Sequence, residues 1–276
     1  MHSLTIIRII AANTFLEAVR QKLFHFLLVI AAAFIATSFL FREFNFGSSE
    51  LKFIADFGFG AIVFFGSILS IAGAAQLFFS EIENRTALTI LAKPVRRVEF
   101  TLGKFLGVAL VVLVFTLMMT GLLLLILYWR ETGLMESDRF ADAFEDGRIV
   151  LYGDVLLVGL LQWIKFTMLI TITMIVAGFA RTNLFTVVIS FFILIICHLQ
   201  YLARDAWAEI AFLPVRLAVA FMGFAFPNFQ LFNVGEYVAI GEPLPWSLVG
   251  HLVLLSFIYL VVYNILAVIS FRSREI

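Results

Sequence analysis

Six apolar runs, each long enough to cross a bilayer, constrain this chain more than any motif in it. They cover residues 23–41, 58–79, 105–129, 155–179, 184–201 and 248–271. A helix advances about 1.5 Å per residue and the hydrocarbon core is about 30 Å thick, so about 20 mostly apolar residues make one crossing. None of the runs shows the period-two alternation of barrel strands, and inside lipid a helix satisfies its own backbone groups. Composition agrees, with 63% hydrophobic and 14% charged residues against about 25% charged in a soluble domain. The chain is predicted to be an all-α integral membrane protein, one transmembrane domain over residues 1–276 with six transmembrane helices.

Orientation follows from Lys and Arg. With the N-terminus in the cytoplasm, eleven basic residues fall inside and seven outside, with Lys165 left within the fourth span. Five acidic residues lie inside and fourteen outside, so the two faces carry +6 and −7. The zero net charge conceals a polarised molecule. Both termini are expected in the cytoplasm.

The long extracytoplasmic stretch 202–247 contains a further apolar segment, residues 211–226, which is a candidate for a seventh span. It is short, it holds Pro214 and Arg216, and crossing there would carry Arg272 and Arg274 outside. A helix that dips into or lies along the outer leaflet, re-entrant between spans five and six, is expected instead, followed by an irregular stretch broken by Pro227, Pro243 and Pro245. The other large outer loop, 130–154, is acidic and is read as a solvated helix or turn. At the N-terminus, residues 1–22 resemble the charged start of a signal peptide, but no small-residue cleavage site follows. Ile9, Ala12, Leu16, Val19 and Leu23 fall on one helical face and Asn13, Glu17, Arg20 and Gln21 on another. This predicts an interfacial elbow helix that turns into the first span near Gln21. It serves either as an anchor or as a docking element through Glu17 and Arg20.

No catalytic apparatus is visible. There is no phosphate-binding loop, since Gly103-Lys104 lacks both the upstream glycine and a following Ser or Thr. No HExxH, GxSxG or intramembrane carboxylate pair is present. Cys197 is the only cysteine, which excludes an intrachain disulfide and multi-cysteine metal sites. Cys197-His198 with Met118 or Met168 is a conceivable soft-metal set, but a buried thiol beside an interfacial histidine explains the pair without metal. No metal or cofactor is expected on this chain.

One polar, basic island interrupts the apolar pattern: EIENRTALTILAKPVRRVEFTLGKFLG, residues 81–107. Its cytoplasmic loop, 80–104, is larger than a two-helix turn requires. Leu88, Ile90 and Leu91 can fill a groove on a partner while Arg85, Arg96 and Arg97 face an acidic rim or lipid phosphates. Pro94 would end the loop helix. The plain alternative is a positive-inside retention loop.

An acidic residue at the end of the second span, then Glu-Asn-Arg-Thr (83–86), a short apolar helix, Lys-Pro (93–94), a basic pair and Gly-Lys (103–104) make up a recognisable order. It resembles the permease subunits of ABC-2 class exporters, and within them those grouped with nitrous oxide reductase and multicopper enzyme maturation. Glu17-Ala18-Val19-Arg20 is similar to that family's opening interfacial helix. Pro227-Asn228-Phe229 and Phe232-Asn233 are similar to a stretch before its last span. The resemblance implies that Glu81, Glu83, Arg85 and Thr86 belong to a coupling helix that docks on separate cytoplasmic ABC ATPase subunits, which carry ATP and Mg. It also implies a bacterial cytoplasmic (inner) membrane setting and a second permease, identical or related. A periplasmic accessory protein is compatible with this, and no nucleic acid is expected.

Lys165 needs a partner or a cavity, because an uncompensated charge at mid-span costs about 2.5–3.5 kcal/mol on insertion scales. Gln162 lies one turn earlier on the same face. Both are read as lining a translocation path, against the alternative that Lys165 snorkels or bonds a backbone carbonyl or Gln76. Gly66, Ser70 and Ala74 recur every four residues in the second span and mark a close packing face, within the chain or across a dimer. The expected function is an ATP-driven export permease. The alternatives are a non-transporting scaffold or mechanotransmitter driven by an ATPase partner in envelope assembly or metalloenzyme maturation, and an ion-coupled carrier, which lacks intramembrane Asp or Glu and evident inverted repeats to support it.

Overall fold

Hydropathy puts the helices where they are, but polar ends lengthen them well past the apolar runs. The computed structural model describes residues 3–38, 50–83, 96–136, 147–206 and 212–272, and among these it is helical with no strand. Helices α1 (Ser3–Arg20) and α2 (Lys22–Thr37) meet at Gln21, whose extended backbone (φ −71°, ψ 140°) breaks the hydrogen-bond ladder. The two axes bend there by 62°, at the residue where the sequence expects the turn. Then follow α3 (Glu50–Glu83), α4 (Arg97–Met135), α5 (Tyr152–Phe179), α6 (Asn183–Ala206), α7 (Leu213–Ala225), a 3-10 turn (Phe229–Phe232), α8 (Gly235–Ile240) and α9 (Trp246–Arg272). At 39 residues α4 is about 58 Å long and outreaches a hydrocarbon core of about 30 Å.

Helix α5 is the centre, packed by α3, α4, α6 and α9. Its buried threonines turn their hydroxyls back on their own helix, as Thr171 does to the Met168 carbonyl (2.7 Å) and Thr173 to that of Leu169 (2.9 Å). A polar stripe can thus sit in the core without unpaired groups. The small-residue face of α3 meets this helix. Gly66 lies against the ring of fully buried Phe166, and Ser70 and Ala74 are buried beside it, so the face packs within the chain. A Cβ added at Gly66 falls 2.4 Å from the Phe166 ring tip. Gly66→Ala is expected to lower stability by about 1–3 kcal/mol, the usual cost of overpacking. An unchanged melting temperature in detergent would refute the close fit.

The reading of 130–154 as a solvated helix or turn is corrected in part. Helix α4 runs on to Met135, and Glu131 on it is fully buried. Its carboxylate accepts the amides of Ile149 (2.7 Å) and Val150 (2.9 Å), the Tyr152 hydroxyl and, at 3.5 Å, Arg148. Nearby, Arg130 donates from Nε and Nη2 to the two oxygens of Glu50 (2.5 and 2.7 Å) and ties α4 to the start of α3.

Length and hydropathy alone admit Leu213–Val238 as a crossing, but it is three pieces. At 13 residues α7 extends about 20 Å, too short to cross. Pro214 sits in its first turn, where a missing amide costs nothing, so this proline begins α7. The chain breaks at Phe226–Asn228, and Phe232's carbonyl accepts from Gln162 of α5 (2.7 Å). It then returns to Leu244, whose amide donates to Asp154 (2.9 Å), eight residues or about 12 Å nearer the Tyr152 end of α5. The segment therefore goes in and comes back on one side, as the re-entrant expectation has it. The open carbonyls at the tip of α7 are met by other helices. Gln200 Nε2 donates to Gly223 (2.6 Å) and Phe226 (2.9 Å), Tyr259 to Phe224 (3.2 Å) and Tyr263 to Ala225 (2.7 Å).

Candidate functional site

Two regions gather the residues that the sequence singles out, one at each end of the bundle. At the first, Glu81 and Glu83 belong to the last turn of α3, while Arg85, Thr86 and Pro94 lie outside the described residues. Arg96 precedes α4, and its amide donates to the Glu99 carboxylate (3.0 Å), an N-terminal cap that fixes where the helix resumes at Arg97. The two roots of the island are held by one aromatic cluster. Phe78 of α3 meets Phe271 of α9 edge-on (5.3 Å), and Phe100 of α4 stacks on the same ring (5.4 Å).

Helix α1 runs alongside the start of α4 in the same direction, at van der Waals distance. A Cβ at Gly103 would lie 2.7 Å from Ile10, and one at Gly107 would lie 2.5 Å from Thr14 and 2.9 Å from the Ala11 carbonyl oxygen. The packed face is Ala11, Thr14 and Ala18, all buried, whereas Ile9 and Leu16 are exposed. The helix thus has three stripes, apolar, polar and small, and the small one makes the intrachain contact. Lys104 is buried, with Nζ 3.9 Å from Glu17 Oε2 and 6.0 Å from the Phe100 ring centre. Glu17 is therefore engaged within the chain, while Arg20 is exposed at the end of α1.

At the other end, Gln162 and Lys165 face one cavity of about 450 Å³ between α3, α5, α6 and the re-entrant segment. Both are almost fully buried, at 2% and 3% exposure. Among the described residues Lys165 has no hydrogen bond or ion pair, and its Nζ lies 5.6 Å from the centre of the Phe166 ring. Gln76 is exposed on α3 and does not hold it. Gln162 uses Nε2 on Phe232, and its Oε1 is buried without a partner. Lys52, Asp56 and Glu236 line the same cavity, with Lys52 and Glu236 paired at 3.8 Å. His198 also lines it, its Nδ1 donating to the Leu194 carbonyl (3.0 Å) and its ring edge-on to Phe229. Neighbouring Cys197 is buried, and no group of three potential ligands from His, Cys, Asp and Glu exists among the described residues.

Sequence reasoning found Gln162 and Lys165 but missed Lys52, Asp56 and Glu236. One signal was available: Lys52 and Asp56 stand four apart at the head of an apolar run, a polar stripe on a helix that starts at Glu50.

No curated protein matches this chain. The sequence model of the ABC-2 family transporter proteins matches residues 15–197, about two-thirds of the chain. That stretch takes in the end of α1, α2 through α5, most of α6 and the whole polar island. The chain belongs to the ABC-2 family of transporter proteins and is a multi-pass membrane permease subunit.

Proposed function

We propose that this permease is the membrane half of an ATP-driven exporter whose energy enters through residues 81–97. Separate cytoplasmic ATPase subunits carry ATP and Mg and receive that segment, with Glu81, Glu83, Arg85 and Thr86 on the docking side, Pro94 ending its helix and Arg96 and Arg97 at its return. The membrane is the bacterial inner membrane with both termini cytoplasmic. A second permease, identical or related, completes the pathway, and an extracytoplasmic accessory protein is compatible with it.

The observation that carries this reading is the joint anchoring of both roots of the island on Phe271, beside the tight contact of α1 with Gly103 and Gly107. A push on the segment is then passed to α3, α4, α9 and α1 together, as rigid elements. The ATPase pair closing on its nucleotide would drive the spans between two packings, and substrate affinity would differ between them.

Arg85→Glu combined with a shortened 86–94 segment tests this. The expected result is loss of ATPase copurification and of ATP-dependent flux, with the permease still folded. Intact copurification and flux would refute the coupling role. Copurification without flux in the unaltered complex would favour the scaffold reading.

A further inference from the structure

The cavity under the re-entrant segment has a charge pattern that singles out a class of ligand. Four of its lining side chains carry formal charge: Lys52, Asp56, Lys165 and Glu236. They sum to zero, yet they are not mixed. Asp56 is exposed and Glu236 is 70% exposed in its side chain, at a solvated mouth that Lys52 only partly neutralises. Lys165 lies at the buried end, beside Gln162, whose Oε1 has no partner. The mouth holds one carboxylate more than it has ammonium groups, and the floor holds one ammonium with no counter-charge among the described residues. A lone anion would suit the floor but meet repulsion at the mouth, and a lone cation would do the reverse.

We infer that this cavity binds a zwitterion, with an oxyanion at Lys165 and an ammonium group toward Asp56 and Glu236. At the Lys165 end charge pairing is shielded from water, where Coulomb attraction is several-fold stronger than at the surface, while at the solvated mouth the carboxylates act more weakly and set the preference for an ammonium. The oxyanion supplies Lys165 with the partner it lacks. An N–H or O–H donor on the same ligand would satisfy Gln162 Oε1, which otherwise costs the desolvation of a buried acceptor. The volume of about 450 Å³ fits a headgroup or a small free molecule and not a folded peptide. A second cavity of about 560 Å³, lined by apolar residues such as Ile195, Leu199 and Met222, lies on the other side of α6. A lipid source for the zwitterion is therefore tested beside a soluble one. The inference rests on the permease reading for its purpose but not for its test, since binding is measured without ATP turnover.

The experiment uses the full chain in phosphatidylglycerol nanodiscs, titrated with phosphoethanolamine and, as a matched anion without the ammonium, ethyl phosphate. A parallel arm measures by native mass spectrometry whether phosphatidylethanolamine is retained over phosphatidylglycerol. Binding of the soluble compound identifies a free zwitterion, and selective retention of the lipid identifies a headgroup. Lys165→Met is expected to weaken whichever is bound by about tenfold or more, the scale of one charge-assisted contact, and Lys165→Arg to restore much of it. Should Lys165→Met not fold, Asp56→Asn at its exposed position gives the second reading: preference for phosphoethanolamine over ethyl phosphate should fall while ethyl phosphate binding does not. Equal binding of ethyl phosphate and phosphoethanolamine in the unaltered protein, no binding in either arm, or binding unaffected by Lys165→Met overturns the inference. Because ATPase copurification is scored separately, failure here leaves the coupling reading standing.

Discussion

Gly107→Val is expected to abolish ATP-dependent flux while leaving the α3–α6 bundle folded. The added side chain starts 2.5 Å from the Thr14 side chain and 2.9 Å from the Ala11 carbonyl. Backbone is on both sides of that contact, so no rotamer change relieves it, and α1 must leave the α4 surface. Overpacking ordinarily costs about 1–3 kcal/mol, and because α1 packs chiefly on α4 and only slightly on α2 and α3, a shift off this surface finds little else to hold the helix. Detachment also separates Glu17 from Lys104, which lie 3.9 Å apart across the contact. Amide hydrogen exchange reports the event: protection should fall across α1 and stay unchanged in α5. Protection retained in α1 with flux lost would place the defect elsewhere, and flux retained would show that α1 is no part of the transmission.

Glu131→Ala should be the most destabilising single change at the opposite end. The fully buried carboxylate accepts two backbone amides and the Tyr152 hydroxyl, and it balances Arg148. Breaking a buried, charged hydrogen-bond set by removing one member costs about 3–5 kcal/mol, because the remaining donors stay desolvated and unpaired. Glu131→Gln keeps one oxygen, able to accept both amides as Oε1 does now, but loses the Oε2 acceptor of Tyr152 and Arg148, and should fall between alanine and the unaltered chain. Unfolding in detergent measures the order. A melting temperature for Glu131→Ala equal to that of the unaltered protein would mean that water replaces the carboxylate and that the segment at Arg148 is open.

Gly107 and Glu131 differ in how far the sequence alone reveals their surroundings. Long runs of Leu, Phe, Val and Ile require helices in lipid whatever the neighbours do, so five of the six expected spans stand as single helices and the first as α2 bent from α1. Proline gave the re-entrant segment for a partly mistaken reason, since Pro214 starts α7 while the break falls at Pro227. Glu131 could not be read: a glutamate in an acidic stretch looks solvated, and only the return of residues 148–152 onto α4 buries it. The Lys165 cavity was half legible, because residues 52–56, 162–165 and 229–236 meet through topology and share no local pattern. On α1, hydropathy separated apolar from polar stripes but gave no weight to Ala11, Thr14 and Ala18, whose value is their small size against two glycines.

The tip of α7 sets a condition on how the chain is made. Its last carbonyls, at residues 223–226, would each cost several kcal/mol if left open to hydrocarbon. Two are met by Gln200, which the ribosome delivers earlier. The others depend on Tyr259 and Tyr263, which emerge about 35 residues after the tip itself. During synthesis α7 therefore has no stable place at depth until α9 is in the membrane, and it waits at the surface. A chain truncated before Tyr259 should keep α7 accessible to water-soluble thiol reagents from an engineered cysteine at Phe224, and the full chain should close that access in a single late step.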